Sequence, residues 1–162
     1  MHIVVLADTH IGRNTRRRLP DAAYTRLERA DAILHAGDLV VEEVLDDLER
    51  FAPVYAVLGN NDTGLARVLR ETRVVDLEGV RFGLIHDSGP AKGRAGRLRR
   101  RFPDSDVVVF GHSHIPWNQS GEHDQLLFNP GSPTERRAQP VVTMGTIDVD
   151  DGRVVAAQVH PL

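Results

Sequence analysis

Residues 107–114 read Val-Val-Val-Phe-Gly-His-Ser-His. A short β-branched run, the composition of a buried strand, stops at a glycine and gives way to two histidines at alternate positions. Strand formation asks for neither imidazole, so the pair marks a strand end that carries chemistry. The same habit recurs along the chain. Apolar runs at 3–7, 32–36, 54–58 and 80–85 lead into Asp8 and His10, into Asp38, into Asn60 and into His86, respectively. Gly37, Gly59 and Gly111 stand directly before ligand-type residues, as expected where the backbone turns sharply or packs closely.

Helical patterns separate the first of these strands. One helix is expected over 21–29 and a second over 42–51, where Val44, Leu45 and Leu48 share a face and Pro53 stops the run. A third, short helix fits 65–70. Residues 74–77 and 80–85 flank Glu78-Gly79, a hairpin turn. A basic helix at 95–102 precedes the strand of the opening stretch. Further strands are expected at 125–128, 141–149 and 153–160, the last two joined by Asp150-Asp151-Gly152. Strands that alternate with helices and then give way to hairpins predict an α/β protein with a mixed sheet, or two packed sheets with helices outside. No internal repeat or low-complexity segment is visible, and residues 1–162 read as one domain of ordinary size.

The bulk composition narrows the function classes. A hydrophobic content of 41% and a charged content of 27% are those of a globular chain. A formal charge of −3 is too small to imply a nucleic-acid or membrane partner. The absence of cysteine removes disulfides and thiolate metal sites. The opening run meets Asp8 and His10 too soon for a signal peptide or a membrane span, so a cytoplasmic location is the default expectation.

Seven oxygen or nitrogen donors, Asp8, His10, Asp38, Asn60, His86, His112 and His114, therefore collect at strand ends, where open α/β sheets gather their ligands. Residues two apart on an extended segment point to one side, so Asp8 with His10 and His112 with His114 are each expected to reach a common site from extended backbone. Carboxylate, amide oxygen and imidazole together suit borderline first-row ions. Seven protein donors exceed what one ion with an open position uses. Two ions bridged by a carboxylate accommodate them.

In this order the motifs Asp8-Thr9-His10, Gly37-Asp38, Gly59-Asn60-Asn61-Asp62, His86, Gly111-His112-Ser113-His114 and Asn129-Pro130-Gly131-Ser132 resemble the calcineurin-like metallophosphoesterase superfamily. The likeness is to its small single-domain bacterial and archaeal phosphodiesterase branch. That resemblance implies a four-layer αββα sandwich, two mixed β-sheets flanked by helices. It implies two divalent metal ions, Mn²⁺ first, with Ni²⁺, Co²⁺, Fe²⁺ or Zn²⁺ as alternatives. Asp8, His10 and His114 would hold one ion, Asn60, His86 and His112 the other, and Asp38 would bridge them. A bridging hydroxide would attack the phosphorus of a small phosphoester in line. The residues it assigns to catalysis are Asn61, Asp38 and His112.

Two positions depart from the family pattern. Many members carry histidine where this chain has Asn61, and an amide can donate to phosphate but cannot serve as a general acid near neutral pH. Asp87-Ser88 stands where relatives often have Gly-His. Other residues have plainer readings. His35 reads as a buried, hydrogen-bonded histidine, and His2, His123 and His160 as surface residues. Asp62 either orients Asn61 or caps the next helix. Gly131 and Ser132 form either a phosphate-facing loop or a plain turn. The arginines at 16–18 lie close enough to the first motif to reach a phosphate. The five arginines at 94–101 read as a solvated helix face rather than a nucleic-acid surface. A homo-oligomer is compatible with the sequence, which carries no signal for its size. Three functions follow: a phosphodiesterase, a phosphomonoesterase or nucleotide phosphatase, and a non-catalytic interaction scaffold of the same fold.

Overall fold

Ile3 and Val5 point to one side of the first strand and Val4 and Leu6 to the other, and all four are fully buried. A strand covered on both faces reads as a continuous apolar run, and it sits in the middle of its sheet. The structure, a computed structural model, describes residues 1–12 and 15–162. Arg13 and Asn14, part of the arginine-rich loop, lie outside the described residues.

Numbered along the chain, one sheet holds β1 (His2–Leu6), β2 (Ala32–His35), β3 (Val54–Ala56), β9 (Thr143–Asp150) and β10 (Arg153–Pro161). Their order is β10-β9-β1-β2-β3, with β1, β2 and β3 parallel and β9 antiparallel to β1. The other sheet holds β4 (Thr72–Leu77), β5 (Val80–Ile85), β6 (Val107–Val109), β7 (Trp117–Ser120) and β8 (Leu126–Asn129), in the order β4-β5-β6-β8-β7. Here β5, β6 and β8 are parallel, and β4 and β7 run antiparallel along the edges.

The inner faces meet in a shared core that includes Ile3, Val5, Leu34, Phe82, Leu84, Val109, Phe128 and Ile147. The outer face of the first sheet, with Val4, Leu6 and Ile33, is covered by α1 (Asp21–Leu27) and α2 (Glu43–Glu49) through Ala23, Leu27, Val44 and Leu48. The outer face of the second, with Val108, Phe110 and Leu127, is covered by α3 (Arg94–Arg101) through Leu98 and by Phe102 beyond its end. Two mixed sheets flanked by helices are thus the expected sandwich. Among the described residues no helix is long and apolar enough to cross a membrane.

Both expected hairpin turns form. Glu78-Gly79 and Asp151-Gly152 each have two consecutive positive φ values, the conformation whose twist matches the flanking strands. The helix expected over 65–70 is instead a single 3₁₀ turn, Thr63–Leu65, followed by hydrogen-bonded turns in which the Val68 and Leu69 N–H groups reach the Leu65 carbonyl. Leu65 and Leu69 keep the spacing of a helix face and are buried, but the Leu58 N–H bonds the Arg70 carbonyl, which draws the chain back to the end of β3. β7 carries one apolar residue, Trp117, and lies on a sheet edge, so no alternating pattern announces it.

Candidate metal centre

β1, β2 and β3 end on the same side of their sheet as β5 and β6 end on theirs, and the loops after these five strands meet there. All seven sequence-derived donors arrive at this edge. They form two lobes. In the first, His114 Nε2 is 3.4 Å from Asp8 Oδ1 and 3.2 Å from His10 Nε2. In the second, Asn60 Oδ1 is 3.0 Å from both His86 Nε2 and His112 Nδ1. Asp38 Oδ2 stands between them, 3.6 Å from His10 Nε2 and 3.4 Å from His86 Nε2. Asp8, His10, His114, Asp38 and His86 are buried, whereas Asn60 and His112 are exposed.

The backbone reaches this arrangement by an unexpected route. Asp8, His10, Asp38, His112 and His114 all have φ between +46° and +67°. The ligand pairs therefore converge from left-handed turns, not from extended backbone as the alternation rule had implied. Asp and His are among the residues that tolerate this region best, yet each such residue costs on the order of 1–3 kcal/mol. The surroundings hold them in it. Asp8 N–H bonds the Gly37 carbonyl and His10 N–H the Asp38 carbonyl, both at 2.9 Å, while Ile11 and Val40 form an isolated parallel bridge. Gly59 packs so closely on the Asp38 turn that a Cβ there would lie 2.2 Å from Asp38 N and Oδ1. Gly37 has φ +87°. Close approach explains one glycine and handedness the other.

Second partners orient the rings. His86 Nδ1–H donates to the Ala36 carbonyl at 2.7 Å, and His114 Nδ1–H to the Glu135 carbonyl at 2.8 Å. A carbonyl only accepts, so in both rings Nδ1 carries a proton and Nε2 is the atom turned toward the cluster, where a metal ion would take the place of any second proton. Burial lowers the His10 imidazole below its ordinary range. Burial pushes His86 the same way, but its bond to Asp38 and the fields of Asp8 and Asp38 outweigh this and raise it. Burial pushes the Asp38 carboxyl up, and hydrogen bonds from His86 and Asn61 outweigh burial and hold it well below the carboxylate range.

This donor set fits divalent ions. Carboxylate oxygens, an amide oxygen and imidazole nitrogens face one another across 3–4 Å with few donors among them, and among the described residues Asp8 Oδ2 is buried without any hydrogen-bond partner. Asp8 with His10 and His114, and Asp8 with Asp38 and His86, each offer ligand atoms within 4.8 Å of one another. Converging lone pairs of this kind repel unless a cation lies between them.

Asn61, expected to face phosphate, is turned onto Asp38. Its backbone N–H donates to Asp38 Oδ1 at 2.8 Å and its Nδ2 to Asp38 Oδ2 at 2.7 Å. Asp62 neither orients Asn61 nor caps the following turn. It is fully buried, and its carboxylate accepts from Asp38 N–H (2.8 Å), Val40 N–H (2.6 Å) and Gly59 N–H (2.8 Å), which locks two ligand-bearing turns together. The only sequence signal for this was its place three residues after a glycine turn. Ser132 does not face the centre either: its hydroxyl donates to the Asp8 carbonyl at 2.7 Å, and Thr134 bonds the Thr9 carbonyl at the same distance. Gly131 belongs to the same brace, with N–H bonded to Asn129 Oδ1 at 2.8 Å.

The remaining readings divide. His35 is buried as expected, between Thr9 Oγ1 and the Gly37 N–H, and burial lowers it to about 3. His160 is half-buried against Thr146 rather than free at the surface. Arg17 pairs with Glu135 at 3.2 Å. The arginines of α3 are not all solvated: Arg94 is 8% exposed, stacked between Phe110 and Trp117 at 4.9 and 4.7 Å from their ring centroids. Arg97 ties down the preceding loop through the Ser88, Pro90 and Lys92 carbonyls.

The geometry has counterparts in known proteins. Residues 1–152 match the calcineurin-like phosphoesterase superfamily domain. A probable metallophosphoesterase of Methanothermobacter thermautotrophicus is 37% identical over 151 residues, which span 91% of this chain and 87% of that protein. Vps29 of Entamoeba histolytica, solved in complex with Zn²⁺, shares the fold with a TM-score of 0.79 at 22% identity, over 100% of this chain and 98% of that one. An archaeal phosphodiesterase shares it with a TM-score of 0.72 at 20% identity, over 99% and 100%. With its ordered motifs meeting at one sheet edge, the chain belongs to the calcineurin-like phosphoesterase superfamily.

Proposed function

We propose that the protein is a metal-dependent phosphodiesterase with two ions, one per lobe. The observation that carries this reading is the position of Asp38 Oδ2, within 3.6 Å of a histidine in each lobe. Two divalent ions, Mn²⁺ before Ni²⁺, Co²⁺, Fe²⁺ or Zn²⁺, would supply charge neutralisation and a water acidic enough to attack phosphorus in line. Asp8, His10 and His114 would hold one, Asn60, His86 and His112 the other, and Asp38 both.

The chain's own groups set the orientation. Asn61 positions Asp38 and offers an amide, not an acid, beside the centre. Arg137 donates to the His112 carbonyl at 3.1 Å and so stands next to the exposed lobe as a cation. With an amide at position 61 in place of an acid, esters of acidic alcohols are favoured over alkyl esters. General acid catalysis typically contributes about 10²–10⁴-fold, and that factor separates the two classes.

The test uses metal-stripped protein and bis(p-nitrophenyl) phosphate beside p-nitrophenyl phosphate. Mn²⁺ is expected to restore diester cleavage, which Asp38→Ala and His112→Ala abolish. A preference for the monoester would make the protein a phosphomonoesterase instead. Likeness of fold to Vps29 favours a second reading, a metal-loaded binding scaffold. Binding of two ions with no turnover of any activated phosphoester would put that reading first.

A further inference from the structure

Among the described residues Arg94 is the only buried arginine or lysine, and its guanidinium makes neither an ion pair nor a hydrogen bond. Its Nε is sealed off without an acceptor. So is Nε1 of Trp117, whose ring stacks on the guanidinium. The two terminal nitrogens also lack an acceptor but are not sealed off, and they form the open end of the fork.

Three effects oppose a bare cation in this place. Burial strips its water. Arg94 opens α3, and the positive end of a helix repels a cation. The charges acting on it are those of Arg97, a second cation, and of Asp87. Arg97 is held by the Ser88, Pro90 and Lys92 carbonyls, while Asp87 accepts from Gly89 N–H at 2.7 Å instead of closing on Arg94. An ion on His112 would add to the positive side. The Phe110 and Trp117 rings offset part of the cost, but they cover the faces of the guanidinium and leave its in-plane donors unserved.

An oxyanion relieves all three effects. A guanidinium gives two parallel N–H bonds to a carboxylate or a phosphate, and stacking between two rings fixes the plane of the fork beforehand. With 8% of the residue exposed, the opening suits a single anionic group. We infer that Arg94 is a receptor for one phosphate or carboxylate group, bound edge-on by its terminal nitrogens behind the loop that carries His112 and His114. The rings supply packing, and the free N–H groups supply binding. The site needs no metal, so it stands or falls apart from the phosphodiesterase reading.

Trp117 is the only tryptophan in the chain, so its fluorescence and its single indole N–H resonance both report on the stack. Protein stripped of metal on a chelating resin is titrated with inorganic phosphate, with acetate and, at matched ionic strength, with chloride. Phosphate or acetate is expected to give a saturable change in the millimolar range, which two charge-assisted hydrogen bonds support. Chloride, spherical and a weaker acceptor, should give a far smaller one. A response to phosphate alone assigns a phosphate group, and a response to acetate alone a carboxylate. Arg94→Lys keeps the charge without the fork and should weaken binding several-fold. Asp87→Asn removes the competing acid and should strengthen it by about two- to fivefold. Arg94→Leu changes the fluorescence baseline itself, so its readout is Tm, which the oxyanion should raise in wild type and leave unmoved in the variant. No response to either oxyanion, an equal response to chloride, undiminished binding in Arg94→Lys or an equal rise of Tm in Arg94→Leu would overturn the inference.

Discussion

Asp62 bears more of the site than any residue outside the donor set. Three backbone N–H groups converge on its carboxylate from two turns, those of Asp38 and Gly59 buried and that of Val40 partly so. Removing the acceptor strands them, and each unsatisfied buried donor costs about 1–3 kcal/mol. Asp62→Ala is therefore expected to lose about 3 kcal/mol or more in urea denaturation, and Mn²⁺ affinity should fall with it because Asp38 N–H is one of the three. A variant as stable as wild type would show that water replaces the carboxylate. His35 lies under the same turns and yields a pH signature. Its imidazole accepts from Gly37 N–H at Nδ1, so its proton sits on Nε2, toward Thr9 Oγ1. Burial holds it at about 3 in the fold, against 6.5 in the unfolded chain. As pH falls, the unfolded chain takes up this proton first. The histidine's contribution is thus complete above about pH 6.5 and is lost progressively toward pH 3. His35→Gln keeps an acceptor and a donor but cannot titrate. With a chelator present, it should be the less stable protein at pH 7.5, and the gap to wild type should close by pH 4.5. Parallel pH profiles for the two proteins would count against this.

Between Phe110 and Trp117 lies the loop that carries His112 and His114, and Arg94 is stacked against both of its ends. Among the described residues no carboxylate is bound to the guanidinium, and its Nε is buried without a partner. Cation–π contacts of this kind are worth about 0.5–2 kcal/mol each, while an apolar replacement escapes the cost of burying an unpaired charge. Arg94→Leu is accordingly expected to change stability by no more than about 2 kcal/mol in either direction. Its effect should appear in the loop, as a several-fold loss of Mn²⁺ affinity by calorimetry that Arg94→Lys partly restores. Unchanged affinity in Arg94→Leu would assign the stack to packing alone. The stack was not legible in the sequence, where Arg94 is one arginine in a basic helix. What was legible is instructive. Strand ends announced the donors because acid, amide and imidazole residues break apolar runs abruptly, and the order of the motifs located all seven. The left-handed turns were not announced, because Asp and His permit positive φ without requiring it as a glycine pattern would. Edge strand β7 escaped because Asn118, Gln119 and Ser120 are exposed, leaving no alternation to read. The brace formed by Asp62, Ser132 and Thr134 escaped because side-chain bonds to distant backbone have no spacing rule.

The two lobes have a property that neither sheet has alone. Asp8, His10, Asp38 and Asn60 follow strands of the first sheet, and His86, His112 and His114 follow strands of the second. The first lobe joins Asp8 and His10 to His114 across the interface, and the second joins Asp38 and Asn60 to His86 and His112. An ion in either lobe therefore fastens one sheet to the other at the edge where the shared core ends. Such an ion binds the folded chain and finds no comparable site in the unfolded one, so binding adds directly to stability. At a free concentration one hundred times its dissociation constant, one ion contributes about 2.7 kcal/mol. In a domain of this size, each kcal/mol raises Tm by about 2–4 °C. Saturating Mn²⁺ should then raise Tm by about 5–10 °C for one ion and by roughly twice that for two. The lobes can be told apart by substitution. His112→Ala touches only the second and should keep about half of the increment. Asp38→Asn weakens both and should keep little of it, even though its metal-free Tm remains measurable as the reference. The comparison needs no substrate, so it tests the proposed two-ion centre whether or not the protein turns over a phosphodiester. A wild-type Tm indifferent to Mn²⁺, Zn²⁺, Co²⁺ and Ni²⁺ would mean that these seven side chains do not hold metal at all.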